Sequence, residues 1–320
     1  MRTAAFAHPA WGVLARRERL AWASVNQGSV AAVPVNHVLT LSCPDRTGIV
    51  HAVAGAVLAA GGNIAESHQF GDASTGRFFM RVEVAPSGSA VTPVELGAAL
   101  RLAFAPVAAG FGMDWQLHPA DHRTRTLVMV SRGGHCLNDL LFRTRSGALP
   151  VEVPAVVGNH EDLRGMAEFY GVPFHHVPVS AGTKADAEAR LLDLVKELDV
   201  ELVVLARYMQ VLSEDVCREL PGRIINIHHS FLPSFKGARP YHQAHDRGVK
   251  LIGATAHYVT ADLDEGPIIE QDVTRVEHTM TPEALAAAGR DVEAQVLARA
   301  VRWHAESRVL VNGNRTVVFR

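Results

Sequence analysis

The most constraining feature of the chain is a series of short, nearly continuous apolar runs in its second half: "TLVMVS", "VEVPAVVGN", "VPFHHVPV", "ELVVLARY" and "RIINIHH". Helical segments such as "AEARLLDLVKEL" separate them. A strand that is apolar on both sides must be covered on both faces, and a helix between successive strands supplies that cover. The pattern therefore predicts an α/β fold with a mostly parallel sheet. Ligands in such sheets sit beyond the carboxyl ends of the strands. "LARYMQVL" and "NIHHSFLP" both fall at such ends and are candidate site segments on geometry alone. The chain closes with a long helix, Pro282 to Ala305, and with "RVLVNGNRTVVF", in which Asn312 and Gly313 predict a small hairpin.

Upstream the pattern differs. "HVLTLSC" alternates like a strand, and "HAVAGAVLAAGG" has helical length and ends in a glycine pair suited to a helix terminus. "NIAESHQF" and "GRFFMRVEVA" flank the turn-rich "GDASTG", and "TPVELGAALRLAFAPVAAG" is a second helix before "FGMDWQLHP". The order β-α-β-β-α-β is that of the ferredoxin-like split unit, two helices on one face of an antiparallel sheet. "ADHRTR", 120–125, is polar and aperiodic and reads as the linker. The expected division is an extension over 1–36, a small domain over 37–119 and a large one over 124–320. Residues 1–36 show neither a secretory h-region nor an apolar span.

With 320 residues, 48% of them apolar, the chain can bury two cores. A net charge of −2 without any Lys/Arg run argues against nucleic acid and an anionic membrane as partners, which leaves a small molecule. Cys43, Cys136 and Cys217 are odd in number and far apart, and read as buried thiols in a reducing cytoplasm.

"NIHHSFLPSFKGARPYHQA" crowds histidines, an asparagine, a lysine and an arginine together, as a metal, a phosphate or an attacked carbonyl could each require. His228 and His229 are adjacent, so on an extended segment they point to opposite sides. His242 and His245 lack the glutamate of an H-E-x-x-H zinc site. Metal is therefore not expected. "SRGGHCLNDLL" has Gly133 and Gly134 but no dinucleotide fingerprint or Walker lysine. For a carbonyl, Asn226 offers an amide donor to a developing oxyanion, and His228, two residues on, shares its side and titrates near neutrality. A carboxylate must come from "GATAHYVTADLDEGPIIEQ", where pattern alone does not choose among Asp262, Asp264 and Glu265.

These segments together resemble the superfamily of transferases and hydrolases that use N10-formyltetrahydrofolate. The resemblance runs from about Thr124 onward and implies a Rossmann-like formyltransferase domain. It places catalytic roles on Asn226, His228 and Asp264, without deciding which of the last two moves each proton. It places substrate contacts on Arg207, Met209, Val211, Leu212, Val259 and Thr260, and on His229, Lys236 and Gly237. Glycinamide ribonucleotide formyltransferases carry Gly-Ser-Asn where this chain has Gly134, His135 and Cys136, and transferases commonly carry proline where it has His229. Methionyl-tRNA formyltransferases add a basic domain that is not expected beyond Arg320.

The departures favour the formyltetrahydrofolate deformylases, with hydrolysis to formate and tetrahydrofolate as the implied activity and transfer to an amine as the alternative. Formate for purine synthesis and a balance of one-carbon pools would follow. No cofactor is implied, the folate being the substrate. Lys236, Arg239, His242 and His245 would close the acceptor side, holding only water. "LSCPDRTGIVHAVAGAVLAAGGNI" resembles an ACT domain. That implies an amino-acid effector, glycine or methionine, near Asp45, Gly48 and Asn63, and a homo-oligomer, dimer or tetramer.

Overall fold

The alternating segments of the small domain form β1 (His37–Pro44), α1 (Ile49–Ala59), β2 (Gly62–Asp72), β3 (Arg77–Pro86), α2 (Pro93–Phe111) and β4 (Asp114–Pro119), in a computed structural model that describes residues 35–88, 92–232 and 240–320. The strands lie in the order β2-β3-β1-β4, with neighbours antiparallel. Leu39 and Leu41 of β1 and Met80 and Val82 of β3 turn one face to the helices. Helix α2 begins with a capping box: Glu95 N donates to Thr92 Oγ1 at 3.3 Å, and Thr92 N to Glu95 Oε2 at 2.9 Å. It is long and apolar enough to cross a membrane by composition. Its stripe of Leu96, Leu100, Phe104 and Ala108 instead lies in the core of this domain.

The continuous apolar runs become β5 (Thr124–Val130), β6 (Val151–Glu152), β7 (Val156–Gly158), β8 (Phe174–His176), β9 (Leu202–Leu205) and β10 (Ile224–His228), followed by β11 (Leu251–Tyr258) and β12 (Ile268–Arg275). Their order is β12-β11-β10-β9-β5-β7-β8, with β6 beside β5, and only β11 is reversed, pairing antiparallel with β10 on one side and β12 on the other. Leu127 and Met129 of β5 face a core shared with α5 (Lys184–Glu197) and α6 (Glu214–Glu219). Val128 and Val130 face α3 (His135–Arg145) and α8 (Pro282–Ala305). Cover on both faces is what the unbroken apolarity requires. Two short helices, α4 (Arg164–Phe169) and α7 (Pro240–Asp246), complete this part of the described chain.

Two local expectations change. Thr124 and Arg125 belong to β5, so the connection is shorter than the polar run 120–125. "VEVPAVVGN" is two strands, because Pro154 has no N–H to donate to a ladder.

From β5 the chain passes to β7 on one side, while β9 lies on the other. The carboxyl ends of β5 and β9 thus form a topological switch point, the place in such sheets where a crevice opens.

The two domains meet through the C-terminal hairpin, β13 (Val309–Asn312) and β14 (Arg315–Val318). Asn312 Nδ2 donates to Asp72 Oδ2 at 2.7 Å, and Arg81 Nε to the Glu306 carbonyl at 3.2 Å. Nearby, the Tyr258 hydroxyl and His304 Nδ1 lie 2.7 Å apart, and burial pushes His304 down to about 4. An unfolded histidine titrates near 6.5, so between that pH and about 4 the unfolded chain binds the extra proton. Stability is therefore expected to fall as pH drops through this window, by at most about 1.4 kcal/mol per pH unit from this residue. Thermal midpoints measured across the window should fall less steeply in His304→Gln, and equal slopes would remove His304 as the cause.

Candidate active site

Strand β10 carries two polar residues in an apolar sequence, and its period of two puts Asn226 and His228 on the same side. Both line a cleft of about 360 Å³ at the carboxyl ends of β9 and β10. The strand ends at His228, and the turn beyond is held by Thr255. Its hydroxyl donates to the Ser230 carbonyl at 2.9 Å and accepts from Leu232 N at 3.0 Å. Because the chain leaves the strand here, His229 does not point away from His228. Their rings lie 4.8 Å apart and both line the cleft, which corrects the expectation from extended geometry. Burial first, then the neighbouring Arg207 charge, pushes His229 down to about 4, so it is neutral at pH 7.

Asp264 reaches the cleft from the loop after β11. Tyr258 N donates to the Pro267 carbonyl at 2.9 Å and closes the loop's neck. A β-carbon at Gly266 would overlap the Tyr258 carbonyl, so only glycine permits this closure. Asp264 itself has a left-handed backbone (φ 59°), which aspartate tolerates better than most residues. Its Oδ1 lies 3.3 Å from His228 Nδ1. The hydrogen bond from His228 holds the carboxyl below its ordinary range against the opposing effect of burial. His228 Nε2 has no partner among the described residues.

The sequence reading missed His257. Antiparallel register sets it opposite Asn226, and it is 2% exposed. Its Nδ1 lies 2.9 Å from the Tyr258 carbonyl, which can only accept, so Nδ1 carries the proton and Nε2 is an acceptor. Asn226 Nδ2 lies 3.2 Å from that acceptor. One amide hydrogen is thereby fixed and the other is left for the cleft. Burial lowers the His257 pKa, which keeps the neutral tautomer in place.

Arg207, Met209, Val211, Leu212, Val259 and Thr260 all line this cleft. Met209 is 58% and Val211 54% exposed, an apolar mouth suited to a flat ring. Arg207 has φ 64°, a second left-handed position beside the cleft. Lys236 and Gly237, like Arg239 and the extension as far as residue 34, lie outside the described residues.

A second cavity, about 430 Å³, opens at the switch point and shares Arg207, Met209 and Gln210 with the first. At its base is Glu293, 1% exposed. Glu293 accepts from His135 Nε2 at 2.7 Å and from the Tyr241 hydroxyl at 2.5 Å, and Arg207 Nε lies 3.4 Å away. Burial would raise the Glu293 pKa, but these partners outweigh it and keep the carboxylate ionised. Gly289 makes the room: a β-carbon there would overlap the Tyr241 ring. Tyr241 rather than His242 and His245 borders this side. Those two histidines are exposed on α7 and line neither cavity, which corrects their expected place.

His135, Cys136 and Glu293 bring potential metal donors within 4.8 Å of one another. The carboxylate is already committed to three donors, and burial pushes the Cys136 thiol up, so the trio suits the ion pair it makes rather than a cation. In the small domain, Asp45 and Gly48 lie at the end of β1 beside Gly76, whereas Asn63 pairs with Ala85 at the opposite end of the sheet. One chain does not bring the three together.

Residues 124–301 match the formyl transferase family. The chain is 57% identical over 286 residues to the formyltetrahydrofolate deformylase of Corynebacterium sp. (strain P-1), covering 89% of this chain and 99% of that one. A crystal structure of formyltetrahydrofolate deformylase from Burkholderia mallei is 52% identical with a TM-score of 0.85, covering 90% of this chain and all of that one. Glycinamide ribonucleotide transformylase 1 from Symbiobacterium toebii, at 34% identity and a TM-score of 0.60, covers only 64% of this chain and 98% of its own. Both domains are thus matched by deformylases, while that transformylase leaves about a third of the chain unmatched, and the chain belongs to the formyltetrahydrofolate deformylase family.

Proposed function

We propose that the chain hydrolyses 10-formyltetrahydrofolate to formate and tetrahydrofolate, with Asn226, His228 and Asp264 as its catalytic residues. The observation that carries this reading is the convergence of an ionised carboxylate, an unpartnered histidine nitrogen and a free amide hydrogen in one cleft with an apolar mouth. In this mechanism the pterin occupies the wall from Arg207 to Leu212 and the loop from Val259 to Asp264. Asp264 takes a proton from water as the oxygen bonds to the formyl carbon. The Asn226 amide donates to the oxygen that gains charge. His228, held by Asp264 at Nδ1, presents Nε2–H to that oxygen and passes this proton to N10 as the C–N bond breaks, and Asp264 returns the proton taken from water to the ring. No covalent enzyme intermediate and no metal enters these steps.

The direct test supplies 10-formyltetrahydrofolate with no amine present. Formate and tetrahydrofolate should appear in equal amounts, and formyl release only on addition of an amine would overturn the reading in favour of transfer. His257 acts through Asn226 in this scheme. His257→Leu should lower kcat roughly tenfold, a fraction of the loss expected for an oxyanion donor itself, with KM nearly unchanged. A matching rise in KM would point instead to general disruption of the cleft.

The small domain is read as an ACT-type regulatory unit in a dimer or tetramer. The opposite positions of Asn63 and the Asp45–Gly48 turn support an effector site completed across two chains, because β2 is an edge strand. Glycine or methionine is the proposed ligand. Calorimetric titration of the intact protein with each should show binding to one of them, and the absence of both signals would refute the assignment.

A further inference from the structure

We infer that the second cavity is a binding site for a small carboxylate anion, the formate released by hydrolysis, and that it gives the product a route away from the folate cleft. The inference rests on the hydrolytic reading above. The cavity lies at the switch point and adjoins the reaction centre through Arg207, Met209 and Gln210. An anion formed beside Asn226 and His228 thus needs to pass only this shared wall.

Its charge favours that ligand. Arg132, Arg207 and Arg290 line the cavity with His135 and His160, and Glu293 is the one carboxylate among its described lining residues. Glu293 and Arg207 neutralise each other. Arg132 and Arg290 are exposed and make no salt bridge among the described residues, so the cavity keeps two uncompensated positive charges. Helix α3 begins at its wall with no side chain capping its first turn, which leaves backbone N–H groups for an anion.

An independent observation points to a ligand. Asn159 lines the cavity, is 6% exposed, and its side-chain amide makes no hydrogen bond among the described residues. Its Oδ1 is enclosed by protein, which leaves Nδ2 as the end of the amide that can donate to an oxygen in the cavity. Formate, with two acceptor oxygens and one negative charge, matches these donors. Tetrahydrofolate, the other product, belongs to the apolar cleft.

The test uses the intact protein and the double variant Arg132→Gln/Arg290→Gln, both changes being at exposed positions. Formate inhibition is measured at constant ionic strength, and line broadening of carbon-13 formate is followed without folate. The inhibition constant should rise about tenfold in the double variant, as expected for the loss of two charge-assisted contacts, while kcat without added formate and KM for the folate stay within about twofold. The broadening should be lost in parallel. An unchanged inhibition constant would overturn the inference while leaving hydrolysis intact. Variant-sensitive binding of inorganic phosphate without any binding of formate would also overturn it, by assigning the cavity to a phosphate-bearing ligand. If the wild type released no formate from 10-formyltetrahydrofolate, hydrolysis itself would fail, yet variant-sensitive formate broadening would still support the anion site.

Discussion

Asp264→Asn is expected to lower kcat by about 10²–10⁴, the range associated with a positioned general base, with folate affinity nearly unchanged. Asparagine has the same shape and also tolerates the left-handed backbone that Asp264 adopts, so the loop between Val259 and Gly266 should keep its course. What disappears is the charge. Asp264 is held ionised chiefly by His228, and the amide can neither take a proton from water nor stabilise protonated His228. Its Nδ2 group can point at His228 Nδ1 only if that nitrogen becomes an acceptor, so the ring can no longer carry protons on both nitrogens while it presents Nε2–H to the substrate. Single-turnover formate release and equilibrium binding of an uncleavable folate separate the two effects. A kcat within tenfold of the wild type would exclude Asp264 as the base.

The parts of the molecule that were legible from sequence are those set by local periodicity. Alternation over "HVLTLSC" and continuous apolarity over "ELVVLARY" follow from how many faces of a strand are covered, and each is visible within a few residues. Asn226 and His228 were legible for the same reason, since a period of two puts them on one side. Asp264 was not, because a loop carboxylate has no periodicity to set it apart from Asp262, and only resemblance singled it out. His257 was missed because its role depends on register with β10, a long-range property. Glu293 did leave a trace. It lies on the helical stripe with Leu285, Gly289, Val296 and Leu297, and a carboxylate in an apolar stripe signals a buried partner. The His228–His229 pair misled because the extended geometry assumed for both stops at His228.

Asn226→Ala is expected to lower kcat by about 10²–10³, the loss measured when a single oxyanion donor is removed elsewhere, and to leave KM within a few-fold. The selectivity follows from where the charge appears. The formyl oxygen of the bound substrate is a weak acceptor, and the bond from Asn226 Nδ2 strengthens only as the tetrahedral oxygen becomes negative. The effect depends on His257, because a free amide could rotate and offer its carbonyl to the same position. With His257 Nε2 holding one amide hydrogen at 3.2 Å, that rotation would replace an attraction by a repulsion between acceptors. The double variant Asn226→Ala/His257→Leu provides the strict check. If His257 acts only by orienting Asn226, its loss adds nothing once the amide is gone, and the double variant should be as slow as Asn226→Ala and no slower. Additive losses would mean that His257 contributes independently, through Asp264 at 3.7 Å, and the orienting role would have to be abandoned.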